Sequence, residues 1–347
     1  MIKYKVGYNF DNSLVGFIDQ INQRTIDAQI DSVYASIAMA NKLTARPKYK
    51  LPDLSIDELE KHIDAIHKIG VKFIYPLNAS YIGSKNDIDS KAKEIIEFAN
   101  NLQNIGVDGV IVSHPIIADL IHKNTNLELS YSSIANIFSA NQIGLLNEKF
   151  ACHSYCLSPY FNRKIKSLKE IQNRCSKIDC NIELIVNELC GLGYSNGSFS
   201  PCVYRDACFD FHSENETAAD ENLLDGFPQR LCMANRRSFG PEFWAKTMVI
   251  RPEDIKKYAT QLGIVRFKIT GRTATTEDLC KVIKAYMQFS YKGDLSHLWY
   301  MKDKSPTVNN SLLEGLIDHW FENENFSCDN ELCGVTCSYC DNYVHFK

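Results

Sequence analysis

The chain has 347 residues, 45% hydrophobic and 23% charged, with 38 Lys and Arg against 42 Asp and Glu. That is the composition of a globular protein with an ample core. The formal net charge of −4 gives no general field for nucleic acid, and the local basic runs Arg163-Lys164-Ile165-Lys166 and Arg236-Arg237 read as solvated surface. The start, Met1-Ile2-Lys3-Tyr4-Lys5-Val6, lacks the apolar core of a signal peptide, and no run of about 18 apolar residues predicts a membrane span. A cytoplasmic location is expected.

Short apolar runs alternate with amphipathic stretches along most of the chain. Strands are predicted at 4–9, 32–37, 73–78, 109–113, 127–132, 151–157, 182–187 and 265–269, with apolar residues often consecutive, as in a parallel sheet covered on both faces. Ser55-Ile56-Asp57-Glu58 reads as a capping box opening a helix that Gly70 ends. Further helices are predicted over 90–105, 167–175 and 276–289. Eight strands alternating with helices predict an α/β chain folded as a (β/α)8 TIM-like barrel. A doubly wound sheet is the competitor, but Asn9-Phe10-Asp11-Asn12 stands where a glycine-rich phosphate loop would follow the first strand.

The alternation breaks after the seventh strand, in a long polar insertion over 190–250 that carries an acidic run near Glu214–Glu221. Barrels place active-site equipment in loops at that end. The expected organisation is a barrel domain over 1–290, including the insertion, and a small cysteine-rich appendage over 291–347.

Eight of the 13 cysteines fall into two groups. Cys190, Cys202, Cys208 and Cys232 lie in the insertion, and Cys328, Cys333, Cys337 and Cys340 near the end. In a compartment that keeps thiols reduced, grouped cysteines read as metal ligands. The first spacing is too irregular for a zinc ribbon, whereas an iron–sulfur cluster accepts scattered thiolates; buried thiols packing as small hydrophobes are the bland alternative. The second group has the form Cys-x4-Cys-x3-Cys-x2-Cys and suits a closed site, a second [4Fe–4S] cluster or zinc. Its last three cysteines share the spacing of radical S-adenosylmethionine enzymes, but at the wrong end of the chain.

Three stretches resemble the collagenase-like protease family, peptidase family U32. They are Leu157-Ser158-Pro159-Tyr160-Phe161-Asn162 leading into Ser167-Leu168-Lys169-Glu170-Ile171, the run Ile182-Glu183-Leu184-Ile185-Val186-Asn187-Glu188-Leu189-Cys190, and Phe267-Lys268-Ile269-Thr270-Gly271-Arg272. The last is similar to the family's Lys-Ile-Glu-Gly-Arg signature. The resemblance implies a (β/α)8 barrel with a [4Fe–4S] cluster on Cys190, Cys202, Cys208 and Cys232. It also implies oxygen-independent hydroxylation, of ubiquinone precursors or RNA bases in several members, and places Lys268 and Arg272 at the barrel mouth. This chain departs from the pattern at Asn187, where a His-Gly pair is common, and at Thr270, which replaces the glutamate. The usual second cysteine after Cys208 is also absent.

The ends of the strands nominate Asn9, Tyr34, Asn78, His114, Tyr131, His153, Glu188, Lys268 and Arg272 for one pocket. Among them His114 is the general acid/base candidate, Glu188 a proton donor beside Cys190, and Lys268 with Arg272 the holders of an anionic substrate. No Gly-x-Ser-x-Gly elbow or His-Glu-x-x-His pair occurs, so proteolysis is discounted. The expectation is an iron–sulfur-dependent enzyme acting on a small molecule, RNA base or peptide. The alternative is a non-catalytic cluster-bearing protein that relays electrons to, or matures, a partner enzyme.

Overall fold

A computed structural model describes residues 1–40, 43–46, 48–188, 240, 242–300, 307–323, 328 and 336–345. Eight parallel strands close into a barrel in sequence order: β1 Ile2–Gly7, β2 Ala28–Tyr34, β3 Lys72–Leu77, β4 Gly109–Val112, β5 Glu128–Tyr131, β6 Ser154–Leu157, β7 Asn181–Ile185 and β8 Arg266–Ile269. Closure pairs Lys3 with Arg266 and Lys5 with Lys268 across β1 and β8, so no strand edge is left open. The register of β1 against β2 slips between Tyr4 and Lys5.

Helices α1 Asn12–Arg24, α2 Ile56–Lys68, α3 Lys85–Asn104, α4 Pro115–Asn124, α5 Ala140–Phe150 and α6 Ile165–Lys177 follow the first six strands. The Ser55 capping box forms as expected, with Glu58 returning the bond to the Ser55 amide. The third helix starts earlier than its apolar periodicity suggests, because Ser84 and Asp87 make a second capping box. The helix α1, capped by Asp11, occupies the place where a phosphate loop was sought.

Alternate residues of each strand face opposite sides. Tyr4, Val6, Phe73, Tyr75, Val110, Val112, Leu184 and Phe267 pack outward with Leu14, Ile18, Leu59 and Ile63 of the helices in one continuous core. Each fully buried aliphatic or aromatic side chain there contributes about 1.5–3 kcal/mol. The inward set differs. Apart from a small cluster of Tyr34, Ile74 and Ile111, the buried inward positions carry Lys5, Ser32, Ser130, Ser154, Cys156, Glu183 and Lys268. Lys5 and Glu183 form an ion pair at 3.0 Å with 5% and 2% of their side chains exposed.

Beyond β7 the chain returns through α7 Glu242–Lys246, α8 Ile255–Leu262 and, after β8, α9 Thr276–Met287. The segment that follows lies against the barrel: Trp299 packs on Trp244 at 5.0 Å, and Tyr300 donates to the Thr270 carbonyl at 2.6 Å. Helices α10 Asp318–Glu322 and α11 Tyr339–His345 complete the described chain. Tyr339 stacks on His319 at 4.4 Å, Lys246 pairs with Asp341 at 2.6 Å, and the Arg163 guanidinium lies 4.7 Å from the Trp320 ring.

No helix among the described residues is long and apolar enough to cross a membrane.

Candidate active site

The two ends of the barrel have different chemistry. At the N-terminal end the charges are paired: Arg266 with Asp31 at 2.9 Å and Lys72 with Glu128 at 2.6 Å. His153 belongs to this end. It precedes the first residue of β6, and Glu128, Arg266, Lys5 and Lys72 are its charged neighbours, so it does not join the pocket expected from the sequence. Tyr131 also leaves that set, because it faces outward and stacks on Tyr155 at 5.8 Å.

At the C-terminal end the remaining candidates gather. Lys268 is 7% exposed, and its ammonium sits 4.2 Å from the centre of the Tyr34 ring. Arg272 lies 6.0 Å from the same ring and donates from Nη1 to Ser36 Oγ at 3.0 Å. Burial, then the nearby Arg46 guanidinium, lowers Arg272 to about 10. Burial drives the Tyr34 hydroxyl upward, with Arg272 and Arg46 opposing and Glu188 and Glu183 reinforcing the shift. The Cys156 thiol is pushed up to about 12 by burial and then by Glu183, so it stays protonated near neutral pH. Gly7 is needed at this rim, since a Cβ there would meet the Arg272 backbone nitrogen at 2.6 Å.

Asn78 and Asn187 hold the rim loops. Asn78 Oδ1 accepts from the Ala45 amide at 3.3 Å, and Ser113 donates to the Asn78 carbonyl at 3.0 Å. Asn187 Oδ1 accepts from the Thr270 amide at 2.7 Å, while its Nδ2 donates to the Leu298 carbonyl at 3.3 Å. The two positions at which the chain departs from the family pattern, Asn187 and Thr270, are therefore hydrogen-bond partners. Asn9 donates to Thr276 Oγ1 at 2.9 Å and the Ala274 carbonyl at 3.2 Å, bracing the β8 loop.

His114 is the N-cap of α4, and its Nδ1 accepts from the Ile116 amide at 3.3 Å. Burial lowers its pKa, so the ring is neutral at pH 7 with its proton on Nε2. In that arrangement Nε2 can donate a hydrogen bond, and the ring gives up the cap if Nδ1 is to act as a base. Glu188 is partly buried and close enough to Tyr34 and Cys156 to raise both electrostatically.

Cys190, Cys202, Cys208 and Cys232 lie outside the described residues, as does Cys333. The feet of that insertion are anchored together: Asn162 Nδ2 donates to the Ile185 carbonyl at 2.9 Å and the Met248 carbonyl at 2.6 Å, and the Ile250 amide donates to Val186 at 3.1 Å. Cys328, Cys337 and Cys340 are partly exposed, with Cys340 Sγ 3.7 Å from Arg163 Nη1. Among the described residues no group of three His, Cys, Asp or Glu side chains is placed to hold a metal. Cys152, Cys156, Cys175 and Cys180 are buried and fit the role of small hydrophobes.

Sequence reasoning missed the Lys5–Glu183 pair. Its signal was present in the strands themselves, where Lys5 stands between Tyr4 and Val6 and Glu183 between Ile182 and Leu184. A charge at an alternate position of an otherwise apolar strand faces the barrel interior.

A parallel (β/α)8 barrel with Lys268 and Arg272 at its C-terminal mouth defines the class of protein, a barrel whose site lies at the strand ends. The model of Peptidase family U32 matches residues 20–199. The uncharacterized protease MJ1657 of Methanocaldococcus jannaschii is 30% identical over 296 residues, spanning 82% of this chain and 80% of that protein. The chain belongs to peptidase family U32. Among solved structures, the U32 peptidase Mk0906 is similar with a TM-score of 0.44 at 12% identity, over 61% of this chain and 76% of that one. The L-Ala-D/L-Glu epimerase of Bacillus subtilis is similar with a TM-score of 0.34 at 10% identity, over 62% and 52%.

Proposed function

We propose that this U32 chain is an iron–sulfur-dependent enzyme that works at the C-terminal mouth of its barrel. The reaction is redox or oxygen-independent hydroxylation chemistry on a small molecule, RNA base or peptide, rather than proteolysis. The observation that carries the reading is the pair of anchored feet at Val186–Ile250 and Ile185–Asn162–Met248. They make the insertion leave and re-enter the barrel at one point of the rim, next to Glu188 and the strand bearing Lys268. Four cysteines lie between those feet, and a soft four-thiolate set suits an iron–sulfur centre.

A cluster held by Cys190, Cys202, Cys208 and Cys232 would supply electron transfer at that rim. The chain's own residues then divide the remaining work. Lys268 and Arg272 bind negative charge on the substrate, Tyr34 forms the floor beneath them, Glu188 is the proton donor, and His114 Nε2 donates a hydrogen bond. Discounting proteolysis rests on the missing nucleophile and zinc-protease motifs. The C-terminal thiols Cys328, Cys333, Cys337 and Cys340 are assigned a second cluster or zinc. The Cys340–Arg163 contact at 3.7 Å brings Cys340 against the loop after β6, and this supports an electron relay to a partner protein as the second reading.

Single replacements test the assignment. In protein prepared without oxygen, Cys190→Ala or Cys232→Ala is expected to remove about four irons per chain, whereas Cys280→Ala retains them all. Unchanged iron and sulfide in all four insertion variants would remove the first quartet from the account.

A further inference from the structure

We propose that Lys268 and Arg272 form an oxyanion subsite around the Tyr34 ring, built for the carboxylate or phosphate of a small dianionic substrate. The inference rests on reading the barrel mouth as the active site and names the class of molecule it takes.

The argument begins with charge balance inside the barrel. Lys5 takes Glu183 at 3.0 Å, which uses the carboxylate of that layer. Among the described residues neither Lys268 nor Arg272 has a salt-bridge partner. Lys268 meets the Tyr34 ring face at 4.2 Å and shares Glu183 electrostatically with Lys5, and Arg272 meets that ring and the Ser36 hydroxyl at 3.0 Å. Removing an ammonium from water costs several kcal/mol, and a desolvated cation–π contact returns about 2. A bound anion offsets the remainder.

The arrangement also concentrates like charge. The Arg46 guanidinium lies close enough to Arg272 and Tyr34 to act on both. The loop bearing it is fixed to the rim by the Ala45 amide on Asn78 Oδ1 at 3.3 Å. The Lys268 ammonium and the Arg272 guanidinium meet at one ring and repel each other unless an anion lies between them. Guanidinium forks bind carboxylate and phosphate oxygens in a bidentate manner. Lys5, Lys268, Arg272 and the neighbouring Arg46 against Glu183 and Glu188 leave a surplus of two positive charges at the mouth, which matches a dianion.

Calorimetric titration of the full chain, prepared without oxygen and at low salt, with malonate and with inorganic phosphate tests this. Saturable binding of at least one is expected. Arg272→Gln and Lys268→Met should each weaken it about 30-fold or more, while Lys72→Gln, at the opposite end, leaves it unchanged. Ser36→Ala removes only the hydroxyl that orients Arg272, and should weaken binding several-fold in a protein whose fold is intact. Malonate alone would identify a small organic acid, and phosphate alone a phosphate ester. Binding in preparations that never contain iron would remove the cluster and leave the subsite standing. No saturable binding of either anion to folded protein, or equal affinity in Arg272→Gln and Ser36→Ala, overturns the proposal.

Discussion

Replacing Glu183 by alanine is expected to destabilise the barrel by about 3–5 kcal/mol, the cost of leaving a buried charge without its partner. Lys5 and Glu183 are 3.0 Å apart, and neither reaches water to any extent. The pair is not a net stabiliser merely because it is buried. Lys5→Met with Glu183→Leu is therefore expected to recover most of the loss, which the single variant cannot. Burial alone would raise the Glu183 carboxyl, but Lys5 and then Lys268 outweigh it and hold the pKa below its ordinary value. A depressed folded-state pKa gives a contribution that is complete above the unfolded carboxyl value of about 4.3. It is lost as pH falls through the folded value. Urea midpoints should therefore separate wild type from Glu183→Gln at pH 7 and converge in acid. A wild-type midpoint for Glu183→Ala at pH 7 would show that Lys5 is not confined as described.

Asn187→Ala is expected to destabilise the protein by about 2–4 kcal/mol, because buried groups left without partners cost about 1–3 kcal/mol each. Asn187 is 3% exposed. It accepts from the Thr270 amide at 2.7 Å and the Thr270 hydroxyl at 3.1 Å, and donates to the Leu298 carbonyl at 3.3 Å. Its loss therefore loosens β7, β8 and the 295–299 segment together. Gly271 makes the same junction intolerant of bulk, since its φ is +127° and a Cβ would meet the Tyr300 hydroxyl at 2.3 Å. Because Asn187 holds Thr270, which lies between Lys268 and Arg272, and stands at the foot of the insertion, the variant should lose anion affinity and iron content beyond what its thermal midpoint explains. A midpoint within 1 °C of wild type with normal iron content would contradict the bridging role.

The barrel is legible because strands show an apolar outer face and several of the helices between them are marked by a capping residue at the start or a glycine at the end. Ser55, Gly70 and Gly106 illustrate this. The strand limits were less legible. The Ser32–Ile37 stretch is apolar beyond Tyr34, yet Ile37 belongs to the rim loop, where its amide donates to the Tyr75 hydroxyl at 3.1 Å. The interior was harder to see, because runs such as Ile182–Val186 look continuously apolar unless Glu183 is read as the inward half of a two-residue period. Tyr131 shows the converse. It ends a strand, but its parity turns it to the helices, so position along the strand alone does not place a side chain in the mouth. Lys268 and Arg272 are placed at the mouth by the family resemblance and the strand-end rule; the parity of Lys268 on β8 agrees, and Arg272 lies in the loop beyond it. The coupling of Asn187 to Thr270 could not be read, since 83 residues separate them and only barrel closure brings them together.

The central claim, an iron–sulfur centre on the insertion at the barrel mouth, is tested most directly by metal and acid-labile sulfide analysis of the full chain purified without oxygen. The account predicts a brown protein with about four irons and four sulfides for each four-cysteine site, with any zinc confined to the C-terminal thiols. A colourless, folded protein that carries zinc alone, or no metal, would contradict it.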